Sequence, residues 1–411
     1  MKILSKVLNI FKKDNEYNDR KLYHLNGKND SYPDEVELII ESSITAAKCN
    51  QLMSRYILGK GFGENANNFI VDTIQNKTLL DFSGNLTSDI AMHRGAFIHV
   101  NYGVDASGNI IKTGLRVLDF CNCRVGFKDS NGYFGKILYN PNIKKCKKSD
   151  IIEYNIFNDD PLILEQQINE AGGIREYNGQ VFYINLSNKI YPLSNIHQAI
   201  LDADSESQSS IYKNRSLRDG FFGKKLCLTK PLVDTALQSS DNKEDINEYA
   251  QQLSERDYFR KNLEEMVGAD NSGNLLHLEL EPLQDENLED VIKFIDIQNN
   301  IDDKVFEYTE RSVRENIALA YNNIPLILIS ANQSGIFGNS GEQLRQAKIF
   351  YQEQIQQEQN VFIQSIERVL NGFLDFENIS LDFEKLVEEN QQQNQTTNNN
   401  QNDLEDDNTN Q

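Results

Sequence analysis

The residues best equipped to hold a metal or attack a substrate are five histidines and five cysteines: His24, His93, His99, His197 and His277, and Cys49, Cys121, Cys123, Cys146 and Cys227. The histidines show no mutual spacing of the kind that metal or triad chemistry needs, and such isolated histidines are more often structural. Cys121-Asn122-Cys123 with Cys146 comes nearest to a ligand set, since alternation along a strand puts both thiols of a Cys-x-Cys on one face. Its spacing matches no standard zinc pattern, so reduced, buried thiols are expected, with no metal and no cofactor. The run Gly59-Lys60-Gly61-Phe62-Gly63 has the glycines of a phosphate loop but not the preceding strand and following helix. It reads as a turn. A Walker-type lysine loop is missing from the sequence, so ATP hydrolysis by this chain is not expected. No nucleophile and base converge, and the expectation is a protein that is not an enzyme. An unfamiliar hydrolase is the reading that this argues against.

Two charged groups remain. Asp202, Asp204 and Glu206 alternate along an expected helix, which spreads them around it and does not focus them on one ion. Lys213, Arg215, Arg218, Lys224 and Lys225 form a basic cluster just beyond. They can meet phosphates, or pair with acids of a later helix such as Asp290, Asp296, Asp302, Asp303 and Glu307.

The chain has 411 residues, 39% of them hydrophobic and 25% charged, with a formal net charge of −21. That length supports two or three packed units. The acidity disfavours a protein that grips nucleic acid by its phosphates, but it suits a wall along which DNA must slide. No apolar run approaches bilayer thickness. The opening residues, from Met1 to Lys12, read as a short amphipathic segment and not as a signal peptide, so a cytoplasmic starting point is expected.

The elements that would position these groups follow from periodicity. Residues 1–32 read as a flexible arm. Helices are expected from Pro33 to about Leu58 and over 79–94, then a mostly antiparallel set of strands through Asn185, with a hairpin at Asn131-Gly132. A helix over 193–219 follows. Its middle, from Asp202 to Ser210, is polar nearly all round. Such a stretch bridges domains in water, lines a polar channel between subunits, or is a plain surface helix. Strand, helix and strand come next, then a long helix over 288–322, on the order of 50 Å from the rise per residue. Ile324-Pro325 ends it. A loop rich in Asn, Gln, Ser and Gly leads to a helix opening with Ser340-Gly341-Glu342-Gln343, a capping-box pattern. From Glu389 the chain is a Gln/Asn-rich acidic tail, disordered by composition. The fold class is α+β.

Taken together, the second half resembles the portal proteins of long-tailed phages. The resemblance rests on Tyr191-Pro192-Leu193-Ser194 at a helix start and on Arg218-Asp219-Gly220-Phe221-Phe222 after its end. It rests also on Asn322-Asn323-Ile324-Pro325-Leu326 after the long helix and on Gly338-Asn339-Ser340-Gly341-Glu342-Gln343-Leu344. The upstream run Ala91-Met92-His93-Arg94-Gly95-Ala96 is similar to that family's helix-to-strand junction. A double proline and Leu-Gly, frequent there, are replaced by one proline and Ile327-Leu328-Ile329-Ser330.

The resemblance implies a portal-like fold: a wing over 33–190 and 323–373, stem helices at 191–220 and 288–322, and an αβ clip over 221–287. A tunnel loop follows the second stem helix, a short helical crown covers 374–388, and the disordered tail follows. It implies a homo-oligomeric ring, a dodecamer, at the capsid portal vertex of a virion, made in the host bacterial cytoplasm. Double-stranded DNA would pass without sequence specificity. The implied partners are the terminase large subunit, a head–tail adaptor and the major capsid protein, with no membrane. Asn332, Gln333, Ser334 and Asn339 would face DNA, and Asp202, Asp204 and Glu206 would line the bore. Lys213, Arg215, Arg218, Lys224 and Lys225 would touch DNA or a neighbouring subunit. A different ring-forming adaptor or minor capsid protein is the alternative.

Overall fold

The structure is a computed structural model that describes residues 23–128, 132–218, 225–229, 242–267, 275–279, 292–296, 303–330, 340–376 and 378–387. Among these, no helix is long and apolar enough to cross a membrane. The fold is mixed α and β, and the chain divides into two compact units, one of residues 1–207 and 311–411, the other of residues 208–310.

In the larger unit, helix α1 (Tyr32–Ser42) and helix α2 (Ile44–Leu58) replace the single expected helix. The break is Ser43, whose extended backbone lets its hydroxyl accept from the Ala46 N–H and cap α2. A small hairpin, β1 (Ile70–Asp72) with β2 (Lys77–Thr78), leads to α3 (Leu79–His93). There Thr78 and Asp81 form a reciprocal capping box. Strands β3 (Gly95–Val104), β4 (Ile110–Leu118), β5 (Cys123–Val125), β6 (Lys136–Tyr139), β7 (Ile152–Ile156) and β8 (Gln180–Asn185) form one sheet in the order β4-β3-β8-β7-β6-β5. All its pairings are antiparallel except β7 with β8. That parallel pair needs a crossover, and α4 (Pro161–Glu170), a helix the periodicity did not announce, lies within it.

Gly95 to Val100 of β3 is buried at every position, because both faces of the sheet are covered. Ala96, Ile98 and Val100 join the main core with α1, α2 and α3. Phe97 points the other way, stacked on Tyr183 in a second core with Leu118, Cys123, Val125, Ile137 and Val181.

Chain segments distant in sequence close both cores. Residues 23–31, expected to be part of a flexible arm, are built into the fold. Tyr23 bridges to Gly126, and the Arg124 guanidinium, 0% exposed, reaches Asp30 Oδ1 through Nε at 2.6 Å. The same guanidinium donates to the carbonyls of Cys121, Cys123 and Asp30. At the other end, helices α8 (Ser340–Gln354) and α9 (Gln356–Leu370) bring Tyr351, Phe362 and Ile366 into the main core. The expected helical crown at 374–388 is not helical over its described residues. Ile379, Leu381 and Phe383 alternate in sequence and pack back onto the core, with Phe383 edge-on to Phe62. The Lys60 N–H donates to the Glu384 carbonyl, and Gly59 leaves room for it: a Cβ there would lie 2.4 Å from that oxygen. The glycine run is thus a turn that straps down the segment 373–387.

The smaller unit holds β9 (Lys225–Thr229), α6 (Lys243–Val267), β10 (Leu275–Glu279) and β11 (Ile292–Asp296). Its sheet has the order β10-β9-β11, with β10 parallel and β11 antiparallel to β9. Strand β11 corrects the expected helix over 288–322: Ile292-Lys293-Phe294-Ile295 pairs with β9, and the helix, α7, spans Asp303–Ala320. A short β-branched and aromatic run satisfies both periods, and the available sheet edge decides it. The expected strand–helix–strand module therefore extends to Asp296. Helix α5 (Ile200–Arg218), preceded by a 3-10 turn at Asn195–Ala199, agrees with the expected helix over 193–219.

Losing one partner of the buried Arg124–Asp30 pair strands a charge away from water. Arg124→Met is expected to lower the unfolding free energy in urea by about 3–5 kcal/mol. The double variant Arg124→Met/Asp30→Leu should recover a large part of that loss, and equal losses in the two proteins would rule the pairing out as the cause.

Candidate functional site

The division between the two units falls inside α5 and α7, so both helices run from one unit into the other. The first turns of α5 belong to the main core: Ile200 and Ala203 are fully buried. Beyond Asp204 the apolar residues give way to Ser205, Glu206, Ser207, Gln208, Ser209 and Ser210, and no single face is apolar.

The three acids expected in a channel are used differently. Asp204 is buried, at 7% exposure. Glu206 closes onto the start of α2: it accepts from the Ser43 hydroxyl, from the Thr45 hydroxyl at 2.6 Å and from the Thr45 N–H at 3.1 Å. A carboxylate at a helix N-terminus meets free N–H groups and the positive end of the helix dipole. Asp204 is thus buried within the larger unit, while Glu206 is half-buried and tied to the head of α2. Asp202 is half-buried and accepts from Asn316 Nδ2 of α7 at 3.0 Å.

Of the basic cluster, Lys213 pairs with Glu310 of α7, in line with the reading that acids on the later helix meet these cations. Lys225 opens β9 and Arg215 and Arg218 lie on α5, but their side chains are outside the described part. Lys224 and the tunnel-loop residues Asn332, Gln333, Ser334 and Asn339 lie outside the described residues altogether.

The histidines are dispersed through the fold. His24 packs edge-on to Phe127 and Phe134, His99 holds the Asn178 carbonyl at 2.7 Å, and His197 meets the Tyr32 hydroxyl. His277 lies on β10 of the smaller unit. His93, at the end of α3, donates from Nε2 to Glu37 Oε1 of α1 at 3.3 Å. The same oxygen accepts from Cys121 Sγ at 3.1 Å. Sequence reasoning missed this cluster. Its members lie on three separate elements, with no local motif to announce them, and the cysteine had been grouped with Cys123 and Cys146.

Burial first, and then the hydrogen bond to Glu37, push the Cys121 thiol well up, which makes it a poor nucleophile. The bond from His93 holds the Glu37 carboxyl below its ordinary range. Nearby, Asp89 and Asp119 line a cavity of about 280 Å³ with Arg116 and Lys77. Burial, then Asp119 and Glu37, push the Asp89 carboxyl well above its usual range.

No protein-family model and no curated protein matches this sequence. Among solved structures, the chain is similar to one in the virion of a native gene transfer agent particle, with 13% identity, a TM-score of 0.48 and coverage of 84% of this chain and 85% of that one. A chain in the neck of the native particle, computed with C12 symmetry, gives 14% identity and a TM-score of 0.47, with 84% and 85% covered. An HK97-family phage portal protein from Corynebacterium diphtheriae gives 10% identity and a TM-score of 0.36, with 81% and 88% covered.

Glu206→Ala removes the acceptor at the head of α2 and is expected to cost about 1–2 kcal/mol in urea unfolding. Asp89 carries a pH signature of the opposite kind. A carboxyl raised in the folded state binds its proton more tightly there, so stability falls as pH rises from the ordinary carboxylate value of about 4. Asp89→Asn should therefore raise the thermal midpoint at neutral pH, and the gain should vanish once the pH is below that value. A gain that stays constant with pH would contradict this.

Proposed function

We propose that this chain is a portal subunit: copies close a ring at one capsid vertex, and double-stranded DNA passes through it during packaging and ejection. The observation that carries the reading is the pair α5 and α7, two helices that both cross from the larger unit into a separate β-α-β-β unit. A helix as polar as the second half of α5 finds no place in a dry core, and a wet bore between subunits suits it. A ring adaptor of another kind would lack an insertion between two such helices. The quoted sequence resemblance to long-tailed phage portals supports the same reading.

In this reading the larger unit is the wing, α5 and α7 are the stem, and residues 221–296 are the clip. The clip would dock the terminase large subunit and later a head–tail adaptor, while the wing meets the major capsid protein. With Asp204 and Glu206 engaged inside the subunit, the bore would take its polarity from Asp202 and the serine-rich stretch of α5. Asn332, Gln333, Ser334 and Asn339 would graze DNA through weak contacts that ignore sequence. Lys213 would serve the α5–α7 pair through Glu310, leaving Arg215, Arg218, Lys224 and Lys225 for phosphates or a neighbouring subunit. A ring of heterologous contacts closes only at a fixed subunit number, and twelve is the number the family resemblance implies.

Native mass spectrometry of the purified chain is expected to show one closed assembly of twelve copies, and cryo-electron microscopy a central hole. A monomer, or a closed dimer without a hole, would overturn the proposal.

A further inference from the structure

We infer that Glu37, His93 and Cys121 form a binding site for a single zinc-like divalent cation in the larger unit. The three ligand atoms, Glu37 Oε1, His93 Nε2 and Cys121 Sγ, all lie within 4.8 Å of one another. Zinc bond lengths to S, N and O set the edges of a tetrahedral site at about 3.6 Å for S···O and about 3.4 Å for N···O. The observed edges are 3.1 Å for Cys121–Glu37 and 3.3 Å for His93–Glu37, a few tenths of an ångström from those values; the Cys121–His93 edge, within 4.8 Å against about 3.6 Å in a tetrahedron, closes by no more than about 1.2 Å when an ion enters.

The chemistry of the set fits as well as its spacing. One thiolate, one imidazole and one carboxylate favour a borderline-soft transition ion over calcium or magnesium, which take oxygen ligands. On binding, the Cys121 thiol proton leaves to solvent, and the His93 proton shared with Glu37 moves through solvent from Nε2 to Nδ1, so that the neutral ring offers the Nε2 lone pair. The thiolate, the Glu37 carboxylate and the dication then sum to zero charge, which suits a site where Cys121 and His93 are 7% and 3% exposed. Glu37 is 38% exposed in its side chain, which gives the ion a path in and water a route to the fourth vertex.

Neighbouring groups hold the ligands in place. Asp119 Oδ1 accepts from the Cys121 N–H at 2.8 Å, which holds the turn that carries the thiol. The His93 ring is stacked on Phe120 at 4.4 Å with an interplanar angle of 8°, which fixes its plane. The three ligands come from α1, from the end of α3 and from the Phe120–Asn122 turn after β4. A bound ion would therefore staple the helical layer to the sheet. The site lies wholly in the larger unit and does not depend on the portal reading.

The test uses untagged, full-length protein stripped with a chelator and titrated with Co²⁺ alone, followed by absorption. A thiolate-to-cobalt charge-transfer band should saturate at one ion per chain and be removed by Zn²⁺. Cys121→Ser should abolish the band, and His93→Gln and Glu37→Gln should each weaken binding at least ten-fold, while Cys146→Ser leaves it intact. Glu37→Gln is the variant least exposed to misfolding, and circular dichroism checks each protein. No band in the wild-type protein, a band that survives Cys121→Ser, or unchanged affinity in folded Glu37→Gln would overturn the site.

Discussion

A single carboxylate ties the base of the polar helix to the core of the larger unit. Glu206 sits at the last point where α5 still belongs to the larger unit, and it is fixed there by the N-terminal donors of α2. One turn earlier the helix is anchored by buried Ile200 and Ala203; one turn later it is serine and glutamine. A helix without an apolar face gains little from packing, so its base is held by polar contacts, on the helix N-terminus that the break at Ser43 creates. The Asp202–Asn316 and Lys213–Glu310 contacts then couple α5 to α7, each within its own unit.

That dependence shows which parts of the structure could be read from residues. Helix α3 and the strands through Asn185 were legible, because their apolar periods are strong and their ends carry caps or turn residues. The break at Ser43 was hidden because Ser42-Ser43 is compatible with a continuing helix, and only the engagement of Glu206 and the Ala46 N–H favours the cap. Strand β11 was hidden because Ile292, Phe294 and Ile295 suit a helical stripe as well as a strand, and the edge of β9 is a long-range fact. The engagement of Glu206 was invisible for the same reason: its partners Ser43 and Thr45 lie 163 and 161 residues away in sequence.

The site residues divide along a similar line. The resemblance to phage portals supplied the roles, while the contacts came from the fold. The basic cluster had two readings in the sequence, and at Lys213 the structure records the ion pair with α7. The histidines show no mutual spacing in the sequence, and His93 meets Glu37 and a cysteine only in the fold. There α1, α3 and the turn after β4 converge where no linear pattern joins them.

The core of the larger unit is assembled from both ends of the chain. Phe62 meets Phe362 and Phe383, and Tyr56 packs against Tyr351. The smaller unit, by contrast, is continuous in sequence. During synthesis, residues 208–310 emerge complete while the larger unit still lacks its closing helices. The inserted unit can therefore settle on the ribosome first, and the larger unit waits with part of its apolar surface uncovered until residues beyond 350 have left the exit tunnel.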